Sequence, residues 1–360
     1  MDKIKVAVVG CGMIAEQSYL PAILQMQKAE LVAVCDIVEE RAKLLQGEFK
    51  VPRSYTDLEV MLGEEEFDLL VNLTTIPMHY PLNLRALQAG KHLYSEKTFA
   101  QSVEQATDLI ETARAKGVKL GAAAATMLDA VNQEMKSLVR EGAIGKVAFA
   151  KVISSHGGPA YDRVWPADPT WFYERGSGPL LDMGVYGLHT ITGILGPAKR
   201  VMAFSGISDP VRYVRGGPFK GKRIDVEADD LTLIMLDFGQ ATFAIVDASY
   251  CIRATKAPSL EIYGAGGTIT VNPSEAEHAL SLWRDEVKLG IRGWTNVKVE
   301  GEPWSLPRGV EHIIDCILED KRPVTSGEHA RHVLEIMSKC VEAARTGQTQ
   351  ELTTTFHEAQ

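Results

Sequence analysis

The chain has 360 residues, 45% of them hydrophobic, and 47 acidic against 38 basic side chains give a formal charge of -9. A single hydrophobic core rarely grows past about 250–300 residues, so two domains are expected. The negative balance, with no basic cluster, excludes a nucleic-acid partner in favour of a small molecule, and no apolar run is long enough to span a bilayer, so no membrane partner is expected. In chain order, Ile4-Lys5-Val6-Ala7-Val8-Val9 predicts a strand, Gly10-Cys11-Gly12-Met13-Ile14-Ala15 a glycine turn, and 14–27 a helix. Gly10 permits the tight turn, Gly12 lets the main chain approach a pyrophosphate with no Cβ in the way, and Ala15 allows close helix–strand packing. The helix start offers N–H groups to phosphates. The run begins close to Met1 and leads into a second βα unit, so we read it as structure and not as a leader segment.

A second strand pattern, Leu31 to Cys35, ends at Asp36, about 20 residues past the glycines, where a carboxylate accepts bonds from a ribose hydroxyl. A third, Asp68 to Leu73, ends at Thr74-Thr75, at the carboxyl end of a strand where open α/β sheets bind ligands. Further helices are expected over 80–89 and 102–117, with strands near 92–95 and 118–124. This alternation predicts a parallel sheet in a dinucleotide-binding α/β domain over 1–125. Beyond it, helices at 129–141 and 179–195 accompany strands at 146–155, 198–206, 230–238, 241–250, 258–264, 267–272 and 278–284, many joined by short turns. Antiparallel pairing follows, in an α+β domain over 126–360 that ends in helices at 308–320 and 328–346. Five cysteines, Cys11, Cys35, Cys251, Cys316 and Cys340, form no CxxC pair, which points to a reducing cytoplasmic setting with neither disulfide framework nor metal.

Two constellations carry chemistry. Ser95-Glu96-Lys97-Thr98 follows the strand at 92–95 and faces the expected ligand crevice; a surface ion pair is the alternative. In the helix opened by Gly178-Pro179, Asp182, Tyr186 and His189 stand at i, i+4 and i+7, one face of an α-helix. Between them, His156, Tyr161, Arg163, Trp165, Trp171, Phe172 and Tyr173 offer aromatic faces for a sugar ring and polar groups for its hydroxyls, or else anchor a long loop. His329 and His332, at i and i+3 with no carboxylate or cysteine nearby in sequence, are expected on a solvated surface.

The fingerprint, the Glu96-Lys97 pair and the Asp182-x-Gly184-x-Tyr186 helix resemble the glucose-fructose oxidoreductase / inositol dehydrogenase / MocA family, as do Thr75-Ile76-Pro77-Met78-His79, 141–147 and 327–330. The resemblance implies a Rossmann domain, a second domain with a large, mostly antiparallel open-faced sheet, a homodimer or homotetramer, and nicotinamide-dependent chemistry on sugars, polyols or cyclitols. It implies cofactor contacts at Gly10, Gly12, Met13, Ile14, Ala15, Asp36, Ile37, Thr74, Thr75, Pro77, His79, Glu96 and Lys97. Glu96 and Lys97 match the family's Glu-Lys-Pro motif, whose lysine meets the reacting hydroxyl and the cofactor; Thr98 departs from the proline. Asp182 matches the family's helix aspartate, Tyr186 stands where members carry histidine or tyrosine, and His189 replaces a frequent aspartate. Ala122 to Ala125 stand where members place asparagine and arginine, leaving room for something larger.

The mechanism expected is hydride transfer at a secondary carbinol, with Tyr186 as base, its phenol acidified by Lys97, and Asp182 holding the substrate or Lys97. His189 is the rival base, because an ordinary histidine pKa suits proton transfer. His156, Tyr161, Arg163 and Trp165 complete the expected substrate contacts. Asp36 followed by Ile37 favours NAD, since a carboxylate repels a 2′-phosphate; Arg41 keeps NADP open. The alternatives are a ligand sensor that binds cofactor without turnover and a redox-neutral NAD-dependent glycoside-processing enzyme.

Overall fold

A computed structural model describes residues 3–272, 280–286 and 290–357, with the side chains of Glu286 and Ile291 left out. Two compact units emerge: the first runs to Leu128 and resumes over Trp304–Leu334 and from Thr355, and the second comprises Asp129–Pro303 and Glu335–Thr354.

In the first unit, strands β1 (Ile4–Val9), β2 (Ala29–Cys35), β3 (Arg53–Tyr55), β4 (Leu69–Asn72), β5 (His92–Ser95) and β6 (Leu120–Ala122) form a parallel sheet in the order β3-β2-β1-β4-β5-β6. The order reverses between β1 and β4, the switch point at which doubly wound sheets take their ligands. β4 is buried at every residue, as a strand covered on both faces must be. The helix expected over 14–27 is a π-helical turn, Ala15–Tyr19, followed by α1 (Leu20–Gln25). Two helices escaped the sequence pattern. α2 (Glu39–Phe49) has no side-chain cap and buries only Ala42 and Leu45, so its apolar stripe is thin. α3 (Leu58–Glu64) is short, started by Asp57 accepting from the Glu59 and Val60 amides. α4 (Ile76–Gln88) and α5 (Val103–Lys116) lie where helices were expected, α5 between a Ser102 cap and left-handed Gly117.

The second unit opens with α6 (Ala130–Arg140), β7 (Val147–Ile153), a π-helical turn at Leu180–Gly184 and α7 (Val185–Leu195). Then come β8 (Arg200–Gly206), a hairpin of β9 (Val211–Tyr213) and β10 (Arg223–Asp225), β11 (Leu231–Gly239), β12 (Thr242–Ser249), β13 (Leu260–Gly264), β14 (Gly267–Val271), β15 (Leu280–Glu286) and β16 (Ile291–Val297). After α8 (Arg308–Leu318) and α9 (Gly327–Thr346), β17 (Gln350–Glu351) completes a nine-stranded sheet ordered β16-β15-β14-β13-β7-β12-β11-β8-β17. Every pairing in it is antiparallel except β7 with β12. Its strands alternate, so Ile234 and Leu236 of β11 are buried while Leu233 and Met235 are exposed.

The compact units differ from a division at 125/126 at both ends of the second segment. The break falls after Leu128, and α8 with the first turns of α9 belongs to the first unit. Val310, Ile313 and Ile314 of α8 pack into the same core as Val6, Leu69 and Tyr94, and a Cβ at Gly309 would collide with the Tyr94 hydroxyl. His329 and His332, expected on the surface, are buried against the Phe356 ring, with centroids 4.2 and 5.5 Å away. In the second unit, Glu335 accepts from the amide and hydroxyl of both Thr353 and Thr354. Burial opposes its charge, but these four bonds hold its pKa below the ordinary glutamate value. Among the described residues no helix is long and apolar enough to cross a membrane.

Two half-buried histidines of the first unit use a ring nitrogen as acceptor: His92 Nδ1 takes the Lys119 N–H (2.9 Å) and His312 Nε2 the Val324 N–H (2.8 Å). Burial lowers both pKa values. The unfolded chain, with histidines near 6.5, therefore binds more protons below that pH than the folded one, and stability falls as pH drops through about 6.5. The slope is at most about 1.4 kcal/mol per pH unit for each ring. Urea unfolding at pH 7.5 and 5.5 will show a smaller loss for His312→Gln, which keeps an acceptor but does not titrate; equal losses in wild type and variant would refute this origin.

Candidate active site

At the switch point the turn after β1 touches the chain leaving β4. Gly10 has φ +96°, and a Cβ there would lie 2.7 Å from the Leu73 carbonyl carbon and the Thr74 nitrogen, so no other residue fits. A Cβ on Gly12 would meet nothing within 4 Å; the backbone there borders open space that a phosphate can approach. Ala15 is fully buried, and Ile14 packs on the core. Asp36 directly follows β2, with Oδ2 accepting from the Cys11 amide (2.8 Å) and Oδ1 from the Val38 amide (2.9 Å), which pins the carboxylate beside the glycine turn. Each oxygen keeps a further lone pair for a ribose hydroxyl. Ile37 beyond it is 88% exposed. Burial and the Asp36 charge push the Cys11 thiol up to about 12, so it stays protonated. These residues fit a dinucleotide.

The loops after β4 and β5 are tied by side chains buried beneath them. Asn72 Oδ1 accepts from the amide (3.1 Å) and hydroxyl (2.7 Å) of Thr74, and Asn72 Nδ2 donates to Asn83 Oδ1 (2.8 Å). Asn83 in turn donates to Ser95 Oγ (2.9 Å) and to the Phe99 carbonyl (3.0 Å). Thr75 and Pro77 stand exposed at the start of α4. His79 is buried, with Nδ1 2.6 Å from the Thr98 carbonyl oxygen and Nε2 2.8 Å from that of Thr74. Its ring lies between the two loops, and as a neutral imidazole it donates to one of these two carbonyls. Burial holds its pKa below the ordinary value, against the pull of both carbonyls.

Glu96 is buried and not part of a surface pair: Oε1 accepts from the Tyr19 hydroxyl (2.5 Å) and Oε2 from the Lys97 amide (3.0 Å). Lys97 is half-buried at this end of the sheet. The Lys97–Thr98 and Ala123–Ala124 peptide bonds are cis. Thr98, without a proline ring, is held through its carbonyl by His79. Ala122 to Ala125 are buried.

In the second unit the expected common face of Asp182, Tyr186 and His189 is interrupted, because the π-helical turn over Leu180–Gly184 shifts the phase between Asp182 and Tyr186. Asp182 Oδ2 accepts from the Tyr250 hydroxyl (2.9 Å) and lies 4.0 Å from His156 Nε2. His156 Nδ1 accepts the Gly158 amide (2.8 Å), so the neutral ring carries its proton on Nε2, toward Asp182. Burial and the Asp182 charge push the Tyr250 pKa far up, which keeps it a donor. Tyr186 is half-buried, whereas His189 is buried with Nδ1 2.8 Å from the Val185 carbonyl oxygen.

Phe172 and Tyr173 belong to a small core with Val214, Ile224 and Tyr250, so these two aromatics anchor the loop. Trp165 packs edge-on against Phe172, and Arg163 is exposed. Tyr161 is half-buried, with two guanidinium groups over its ring. Tyr19, Asn72, Asn83 and Tyr250 were missed by sequence reasoning; a polar residue inside an otherwise apolar strand, as at Asn72, was the one available signal.

Residues 4–124 match the oxidoreductase family with an NAD-binding Rossmann fold, and residues 132–270 match the GFO/IDH/MocA C-terminal domain. The D-apiose dehydrogenase of Paraburkholderia graminis is 25% identical over 98% of this chain and 90% of its own. The 1,5-anhydro-D-fructose reductase of Ensifer adhaerens is 25% identical over 84% and 93%. The solved structure of the aldose-aldose oxidoreductase from Caulobacter crescentus, 22% identical, covers 97% of this chain and 100% of its own with a TM-score of 0.79, a shared fold. With both characteristic domains present, the chain belongs to the Gfo/Idh/MocA family of oxidoreductases, and its first unit is the family's NAD-binding Rossmann fold.

Proposed function

We propose that this protein is an NAD-dependent dehydrogenase or reductase acting on a secondary hydroxyl or ketone of a sugar, polyol or cyclitol. The observation that carries the reading is the fixation of the Lys97 loop: buried Glu96 binds its amide and His79 holds the Thr98 carbonyl at the carboxyl end of β5. The names of the sugar dehydrogenase and reductase relatives support the substrate class. When bound, the nicotinamide supplies the hydride acceptor or donor. Lys97 donates a hydrogen bond to the reacting oxygen, and Tyr186 accepts its proton in the oxidative direction. Asp182, held by Tyr250, accepts from a substrate hydroxyl, and His156, Tyr161, Arg163 and Trp165 shape the sugar subsite. His189, with a ring nitrogen committed to Val185, is the weaker candidate for base. We place the protein in the cytoplasm, where its five free thiols stay reduced.

Pentoses, hexoses, inositols and their keto forms screened at the NADH absorbance band will reveal a substrate. Lys97→Met and Tyr186→Phe will each lower kcat by about 10²–10⁴-fold, while His189→Asn stays within about threefold of wild type. Turnover surviving Tyr186→Phe but lost in His189→Asn would transfer the base to His189. Cofactor bound and retained with no turnover on any of these compounds would refute the dehydrogenase.

Asp36 at the ribose position sets the cofactor choice. kcat/KM will favour NAD over NADP by more than about tenfold, and Asp36→Ala will narrow that ratio; a wild-type preference for NADP would overturn the assignment.

The outer face of the nine-stranded sheet is apolar and open within its unit, with Phe204 69%, Leu233 45%, Met235 52% and Ile245 40% exposed. Phe204 stands opposite Leu233, and Met235 opposite Ile245, so the patch is continuous. We propose that a homodimer or homotetramer packs here. Light scattering will show an oligomer that Phe204→Lys/Met235→Lys converts to monomer; an unchanged mass would move the interface elsewhere.

A further inference from the structure

The second unit contains a cavity of about 140 Å³ whose lining includes Tyr161, Asp209, Arg212, Arg215 and Arg253. Arg212 is only 8% exposed. One terminal nitrogen donates to Asp230 (2.6 Å), and the other to the Gly157 (3.2 Å) and Tyr250 (3.1 Å) carbonyls. Its Nε is buried without an acceptor among the described residues. Arg215 and Arg253 are exposed at the cavity, with guanidinium carbons 4.3 and 5.2 Å from the Tyr161 ring centroid, and neither has a carboxylate partner among the described residues. Asp209 lines the same space, and its carboxylate makes no ion pair with either arginine among the described residues.

Two cations held against one ring repel each other, and the ring's negative face offsets only part of that repulsion. An anion between them removes it. The guanidinium fork matches a carboxylate or phosphate through paired hydrogen bonds, and Lys would not reproduce this. We infer that the cavity binds the anionic group, carboxylate or phosphate monoester, of a small hydroxylated molecule, with Arg215 and Arg253 clasping the charge and Asp209 accepting from a hydroxyl. Arg212 links the cavity to the Tyr250 backbone, and the Tyr250 hydroxyl binds Asp182. The anion is either the charged end of the substrate or a separate effector.

Calorimetric titration at constant ionic strength will separate these outcomes, with inorganic phosphate and D-gluconate as probes and sorbitol as neutral control. Saturable millimolar binding of phosphate or gluconate, but not of sorbitol, is expected. Arg215→Gln/Arg253→Gln will weaken it at least tenfold while NADH binding, followed by fluorescence, stays unchanged. Competition between the anion and the sugar substrate assigns it to the substrate's own charged end; a non-competitive effect on rate assigns it to an effector. Heats of phosphate and gluconate no larger than that of sorbitol, or a double variant that binds like wild type, would overturn the site whether or not the protein proves to be a dehydrogenase.

Discussion

The nucleotide-binding end of this molecule depends on one contact between two backbones. Gly10 lies so close to the Leu73–Thr74 peptide that a side chain at that position is impossible. With that contact in place, the turn after β1 and the loop after β4 run together at the reversal of strand order. Thr74 is then fixed from below by Asn72, and His79 carries the constraint from Thr74 to Thr98, next to Lys97. A glycine near the start of the chain is thereby connected to a lysine 87 positions later by polar groups that are almost all buried. Buried polar groups of this kind hold their geometry because losing a partner leaves the other unsatisfied in a medium of low dielectric.

How much of this was legible follows from range. The glycine turn, Asp36, the Glu96-Lys97 pair and most elements announce themselves through local spacing and periodicity. α2 did not, because its stripe is too thin to stand out from a polar surface. Both π-helical turns were read as ordinary α-helix, since nothing in local composition distinguishes one extra residue per turn. At Ala15–Tyr19 the error was harmless, but at Leu180–Gly184 it altered the expected face of Asp182.

The partners of the candidate residues were the least legible part. Tyr19 bonds Glu96 across 77 positions, and Tyr250 bonds Asp182 across 68. No pattern in the chain pairs residues at such separations. His329 and His332 were misjudged for the same reason: the Phe356 ring that covers them lies beyond the end of their own helix. In each case a polar residue judged by its neighbours in sequence was settled by neighbours in space.

The packing of α8 onto β5 and β6 has a consequence for biosynthesis. The ribosome delivers the parallel sheet first, but the side chains that seal one side of its core, Val310, Ile313 and Ile314, emerge only after the whole of β7 to β16. Until then Tyr94 and its neighbours lack their cover, so the nascent nucleotide-binding unit cannot reach its final stability ahead of the rest. The second unit, inserted between the halves of the first, is made while its host is still unfinished. Completion of the NAD-binding fold thus waits for the last sixth of the chain.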